Sequence, residues 1–201
     1  MQIAAEKQTA AELPLVGGHV ALDFVNTAEE RGHPDAVDVL RTPADLWIWG
    51  QRAGVLRAAI ARTDDTAELA RALAARELLH ELLVTRLDGA QPKRAQLAEL
   101  TALVATAYAA ATLAPADDGR VGWRWAGKEL ASVRHVAVTS AVELLESEPS
   151  GRLKRCPGEH CGWLFLDASK RGNRRWCSMR ECGQEAKDEQ RRARRRARQS
   201  R

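Results

Sequence analysis

No stretch of the 201-residue chain approaches the ~20 uninterrupted apolar residues of a membrane-spanning helix. Its first residues, MQIAAEKQTAAELPL, lack the basic start and apolar middle of a secretory leader. A cytosolic protein with no membrane association is expected. Gly-rich phosphate loops, a Gly-x-Ser-x-Gly elbow, His-Glu-x-x-His and internal repeats are also missing, so no enzyme is expected. Cysteine does not occur before position 156, and all four cysteines fall between 156 and 182. A reducing compartment disfavours a structural disulfide, so this clustering points to metal or redox chemistry. The lack of Cys-x-x-Cys argues against a redox dithiol.

Charge is unevenly spread. The chain carries +4 in all, but residues 152–201 hold 16 Lys and Arg against 6 Asp and Glu, for +10, leaving −6 on residues 1–151. Such a division suggests a basic module that meets a polyanion, attached to an acidic body with another task.

In the body, LPLVGGHVALDFVNT has Gly17-Gly18 as a turn and Leu22, Phe24 and Val25 as apolar anchors, in a run too short to separate helix from strand. RTPADLWIWGQRAGVLRAAIART opens with Thr42 as N-cap, Pro43 at the first helical position and Asp45 in the first turn. Leu46, Trp49, Ala53, Leu56 and Ile60 then form one apolar face, with Trp47 about 200° around the helix from Trp49's turn. Residues 66–87 and 93–111 read as an antiparallel helical pair joined at Asp88–Pro92. Val121, Trp123 and Trp125 alternate within a hairpin that is expected to pack its tryptophans on the helices. A last helix over 128–146 presents Leu130, Val133, Ala137, Ala141 and Leu144 as a stripe, before a linker at Pro149 and Gly151. The fold class is therefore α+β: a mostly helical N-terminal domain (13–148) with a β-hairpin, and a second module over 149–201 with its own source of stability.

Cys156 and Cys161 bracket four residues, as do Cys177 and Cys182, and fifteen residues separate the pairs. Two close pairs one hairpin apart converge on a tetrahedral ion, for which Zn2+ with four thiolates is the first choice and an iron–sulfur cluster the competitor. Four thiolates leave no open coordination position, so the ion is structural. His160 adjoins Cys161 and is assigned a surface position. GWLFLD reads as a strand, SKRGN as a turn, RRW as a returning strand, and the segment from Cys177 as a helix, which together give a treble-clef-like finger.

The chain resembles the CGNR zinc-finger family, bacterial proteins with an N-terminal ABATE domain regarded as transcription regulators. GGHVALDFVNT and RTPADLWIWGQRAG look like the first part's motifs, and LKRCPGEHCGWLFLDASKRGNRRWCSMRECG like the finger. Where the family name spells Cys-Gly-Asn-Arg, this chain has Cys182-Gly183-Gln184-Glu185. The resemblance implies that zinc binding survives this change.

A DNA-binding regulator is the leading expectation, with Arg174, Arg175, Arg180, Lys187, Arg191, Arg192, Arg194, Arg195 and Arg196 toward the nucleic acid. Lys154, Arg155, Arg174 and Arg175 also lie near the thiolates and would offset their charge. The run RRARRRAR places arginine on every helical face. RNA is the alternative polyanion. A third reading makes the finger a protein-interaction module on a small-molecule-binding or enzymatic body. Asp23, Asn26 and Thr27, with Trp47 as an aromatic wall, would line a pocket for an unidentified effector. The competing reading has these polar groups satisfying backbone.

Overall fold

A computed structural model describes residues 8–31, 33, 36–57, 62–115, 119–147 and 151–199. The elements run α1 (Val20–Val25), β1 (Ala28–Glu29), β2 (Val37–Asp38), α2 (Pro43–Arg52), α3 (Thr66–Leu87), α4 (Arg94–Ala109), β3 (Thr112–Pro115), β4 (Val121–Arg124), α5 (Ala131–Ser147), β5 (Leu153–Arg155), β6 (Leu164–Leu166) and α6 (Cys182–Gln199). The strands form three separate antiparallel pairs, β1–β2, β3–β4 and β5–β6. Among the described residues no helix is long and apolar enough to cross a membrane.

Helix α2 begins as its sequence demands. Thr42 Oγ1 accepts the Asp45 N–H at 3.2 Å, and Asp45 Oδ2 accepts the Thr42 N–H at 2.8 Å, closing a capping box ahead of Pro43. The helix stops at Arg52, earlier than the expected apolar face, because Gly54 turns into the left-handed region at φ 73°. Leu56 is still buried, beyond the helix, while Ile60 lies outside the described residues. Trp49 is buried 5.3 Å from the Phe24 ring, and Trp47 stacks beneath Arg62 at 5.0 Å.

Helix α5 packs against α1, α3 and α4. All five residues of its expected stripe are buried. The expected hairpin forms as β3–β4, with Leu113 opposite Trp123. Its tryptophans pack on α4 as expected: the Trp123 and Trp125 rings meet that of Tyr108 at 5.1 and 5.9 Å, and Trp125 donates Nε1–H to the Ala107 carbonyl at 2.8 Å, although Trp123 keeps 43% and Val121 68% exposure.

Two ion pairs brace α3, the first buried and the second open to solvent on its Asp38 side. Glu68 accepts from Arg134 Nε and Nη2 at 2.7 and 3.1 Å, and Arg76 donates to both Asp38 oxygens at 2.8 and 2.6 Å. Each tethers α3 to a different neighbour, α5 and β2.

The finger does not stand apart from the body. Leu164 and Phe165 of β6, Trp163 and three of the four cysteines belong to the same hydrophobic cluster as Leu22, Trp49 and Leu79. The two sides of the expected linker thus share one hydrophobic cluster, and Pro149 lies outside the described residues.

Candidate metal centre and nucleic-acid interface

The finger is built on β5–β6. Leu153 pairs with Leu166 and Arg155 with Leu164, and the Cys156 N–H donates to the Trp163 carbonyl at 2.8 Å, so the loop between them projects as a knuckle. Gly158 is needed inside it, since a Cβ there would sit 3.1 Å from the Cys161 Cβ and 3.2 Å from the Cys182 Sγ. The expected strand at RRW does not form: β6 pairs with β5 instead. Residues 172–176 are held by side chains. Lys154 Nζ donates to the Gly172 and Arg174 carbonyls at 2.7 and 3.0 Å, and buried Asp167 accepts from Lys154 at 2.6 Å and from the Arg174 N–H at 2.8 Å. Burial pushes the Asp167 carboxyl up, but Lys154, Ser169 and the Arg174 amide outweigh it and hold it below the usual carboxylate range. Helix α6 starts at Cys182 itself, with Cys177 in the turn before it.

These elements bring the four thiols together, with every sulfur within 4.8 Å of the others. Cys161 and Cys177 Sγ are 3.5 Å apart, Cys177 and Cys182 Sγ 3.6 Å. Sulfurs placed 2.3 Å from one ion at tetrahedral angles are about 3.8 Å apart, whereas a disulfide would bring two of them to about 2.05 Å. A multi-iron cluster spreads its thiolates over several irons and needs a wider cage. Hydrogen bonds from the other thiols pull the Cys156 thiol far down, while the same contacts and burial push Cys161 far up. The donor set therefore fits a single tetrahedral metal ion.

Arg174, expected on the nucleic acid, is committed elsewhere. Its guanidinium lies 4.5 Å over the Phe165 ring and donates to the Trp176, Leu166 and Val16 carbonyls at 3.0, 3.3 and 3.0 Å, and to that of Cys177. A fork with its donors used on backbone has little left for a phosphate. Arg175 is exposed beside the Trp176 ring at 5.7 Å, and Arg180 and Lys187 are exposed. Lys154 likewise serves Asp167 and the carbonyls of Gly172 and Arg174, and Arg155 reaches Asp88 at 3.8 Å.

In α6 every residue from Arg191 to Gln199 is exposed. Arginine does not occupy all faces. At 100° per residue, the six arginines of 191–198 cover an arc of about 200°, and Ala186, Gln190, Ala193 and Ala197 take the opposite side. Arg192 and Arg196, at one edge of the arc, line a cavity of about 620 Å³ with Ala193 and Glu189. Lys187, Arg191, Arg194, Arg195 and Arg198 form its centre and other edge. Glu185 stands in the first turn, where a carboxylate suits the helix dipole, and Gln184 donates to Asp188 at 3.1 Å.

Three of the four residues expected around an effector bond protein groups, while the fourth, Trp47, lies under Arg62 with its buried Nε1 unpartnered. Asn26 donates Nδ2–H to the Leu164 carbonyl and accepts the Leu164 N–H, both at 2.9 Å, acting as a strand partner for β6. Thr27 Oγ1 donates to the Phe24 carbonyl at 2.7 Å and accepts from Arg76 at 3.1 Å. Asp23 accepts the Gly17 N–H at 2.8 Å, and the Gly17 carbonyl accepts the Leu166 N–H at 2.8 Å. The GGHVALDFVNT segment is therefore the seat of the finger. Glu68 and Arg76 escaped the sequence reading, though they could have been noticed because they fall on the leucine stripe of α3.

Compared with known families, residues 18–148 match the ABATE family, described as "Putative stress-induced transcription regulator", and residues 152–195 match the CGNR zinc finger. No curated protein matches the chain. The four converging thiols, most of the segment that seats the finger and α6 up to Arg195 thus lie in matched regions, and the chain belongs to the family of ABATE-domain proteins with a C-terminal CGNR zinc finger.

Proposed function

We propose that this protein is a DNA-binding transcription regulator whose treble-clef-like finger uses Zn2+ as a structural ion held by Cys156, Cys161, Cys177 and Cys182. A tetrathiolate ion contributes folding free energy and closes its own coordination sphere, so the reading includes no catalysis. It also suits the reducing cytosol, where the thiols stay available to metal.

The observation that carries the reading is the far half of α6. Six exposed arginines lie within eight residues, a rise of about 12 Å, alongside which B-DNA presents about seven phosphate charges. Arginines three and four positions apart repel one another, and among the described contacts only Arg191 has an acidic partner on this stretch, Asp188 at 3.4 Å. A polyanion relieves that repulsion.

Binding of fluorescent duplexes should fall steeply with salt. Replacing Arg191, Arg194, Arg195 and Arg198 with Ala should weaken all sequences alike and flatten the log–log salt slope by up to ~3.6, about 0.9 per lost phosphate contact. Zinc content should not change. No duplex binding by the zinc-loaded protein at ~50 mM salt would end the reading, and a strong preference for structured RNA at equal salt would redirect it.

A further inference from the structure

Beside the cysteine centre lies a second group of metal-binding side chains. Glu30 and His33, from the turn between β1 and β2, meet His160 of the knuckle, with one ligand atom from each within 4.8 Å of the others. Glu30 Oε2 and His33 Nδ1 are 3.6 Å apart, close to the ~3.4 Å edge of a tetrahedron of N and O ligands about 2.1 Å from an ion. The His33 and His160 rings meet edge to face with centroids 4.7 Å apart. More than 120 residues separate the turn from the knuckle, so the group exists only when the finger is seated on the body.

The surroundings suit a cation. Of the two cavities that Glu30 and His160 both line, the one of about 220 Å³ also carries Glu29, Glu181 and Glu185 and no lysine or arginine, while the one of about 620 Å³ sets Glu159, Glu185 and Glu189 beside Arg192 and Arg196. Gln8 also lines the smaller one, and its buried Oε1 has no hydrogen-bond partner, leaving an oxygen available to an ion or to water bound on one. The metal-loaded thiolates next to it would add further negative charge. Glu30 adopts φ 52°, a left-handed backbone that side-chain-bearing residues seldom take, and the His33 N–H fixes the turn on the Glu30 carbonyl at 2.9 Å.

We propose that Glu30, His33 and His160 form a second metal site, distinct from the four-cysteine centre, for a divalent transition ion of the Zn2+, Ni2+ or Cu2+ kind. Two imidazoles and one carboxylate favour these ions over Mg2+ or Ca2+, which prefer all-oxygen cages. Three protein ligands leave at least one position for water, so the ion exchanges more readily than one enclosed by four thiolates. Bound there, it clips the body to the knuckle.

The test is Co2+ titration of the untagged full-length chain already carrying one zinc, since a histidine tag would bind the same ions. A second equivalent should bind, with weak visible bands and none of the intense thiolate-to-metal absorption that Co2+ in the cysteine centre would give. His33→Ala and Glu30→Gln, both in the body and away from the knuckle, should each weaken that second equivalent at least about tenfold while the zinc stays. The proposal is overturned if the zinc-loaded wild type takes up no second equivalent at ~100 µM Co2+ or Ni2+, or if His33→Ala binds it undiminished.

Discussion

Asn26 carries one amide donor group and one carbonyl oxygen, and both are used on Leu164, whose N–H and C=O it pairs as a neighbouring strand would. The sequence could show only that a polar side chain sits in an apolar stretch. Whether it serves a ligand or a backbone depends on a partner 138 positions away. Asn26→Ala leaves two buried backbone groups unpaired, and thermal unfolding should show a loss of about 2–4 kcal/mol. A loss under about 0.5 kcal/mol would mean that water replaces the amide. Asp23 offers a test by pH. Burial pushes its carboxyl up to about 6, the Gly17 N–H pulling it back only in part. Its unfolded value is lower, so its contribution to stability is full below about pH 4 and is lost as the pH rises to about 6, leaving at pH 7 a cost of about 2–3 kcal/mol. Asp23→Asn keeps an oxygen for the Gly17 N–H and removes the charge. Its Tm should exceed that of the wild type at pH 7, and the two should converge near pH 4. His80, pushed down to about 4 chiefly by burial, has the opposite slope, but it is common to both proteins and drops out of the difference. A gap that stayed constant from pH 4 to 7 would refute the assignment.

At the scale of elements, periodicity and caps worked where a helix buries one face. The stripe on α5, the cap of α2 and the 66–87 span of α3 follow from local residues alone. The finger's hairpin was misread because its strands are only three residues long, and their pairing is set by the knuckle and by Lys154 and Asp167 rather than by alternation. The ion pairs of α3 were legible only in part. Glu68 and Arg76 fall on its leucine stripe, but their partners Arg134 and Asp38 lie on elements distant in sequence. Glu68→Ala strands Arg134 in the core, and urea unfolding should register a loss of about 3–5 kcal/mol. The double variant Glu68→Met with Arg134→Leu should recover most of it, because apolar replacements remove both desolvated charges together. If the double variant were as unstable as the single one, packing rather than charge would account for the loss.

For the molecule as a whole, two matched family segments share one core, and this changes how metal loss should spread. The body holds the finger at three points: Asn26 pairs Leu164, the Gly17 carbonyl takes the Leu166 N–H, and the Val16 carbonyl takes an Arg174 donor. Leu164 and Phe165 are fully enclosed, and side chains of this size contribute about 1.5–3 kcal/mol each when removed from water. A finger of some 45 residues cannot keep this arrangement without its ion, since so small a module has too little core of its own. Chelating the zinc should therefore uncover the seat on α1 and weaken the helices behind it. Far-UV circular dichroism should show a single cooperative melt of the zinc-loaded protein, and chelation should lower its midpoint rather than merely remove a small finger transition. Amide exchange should accelerate not only in residues 152–182 but also in α1 and in the face of α5 that packs on it. Cys177→Ala should reproduce both effects without chelator. Were the body's midpoint and α1 protection unchanged after the zinc is gone, the shared core would add nothing to stability, and the two segments would be independent domains that merely touch.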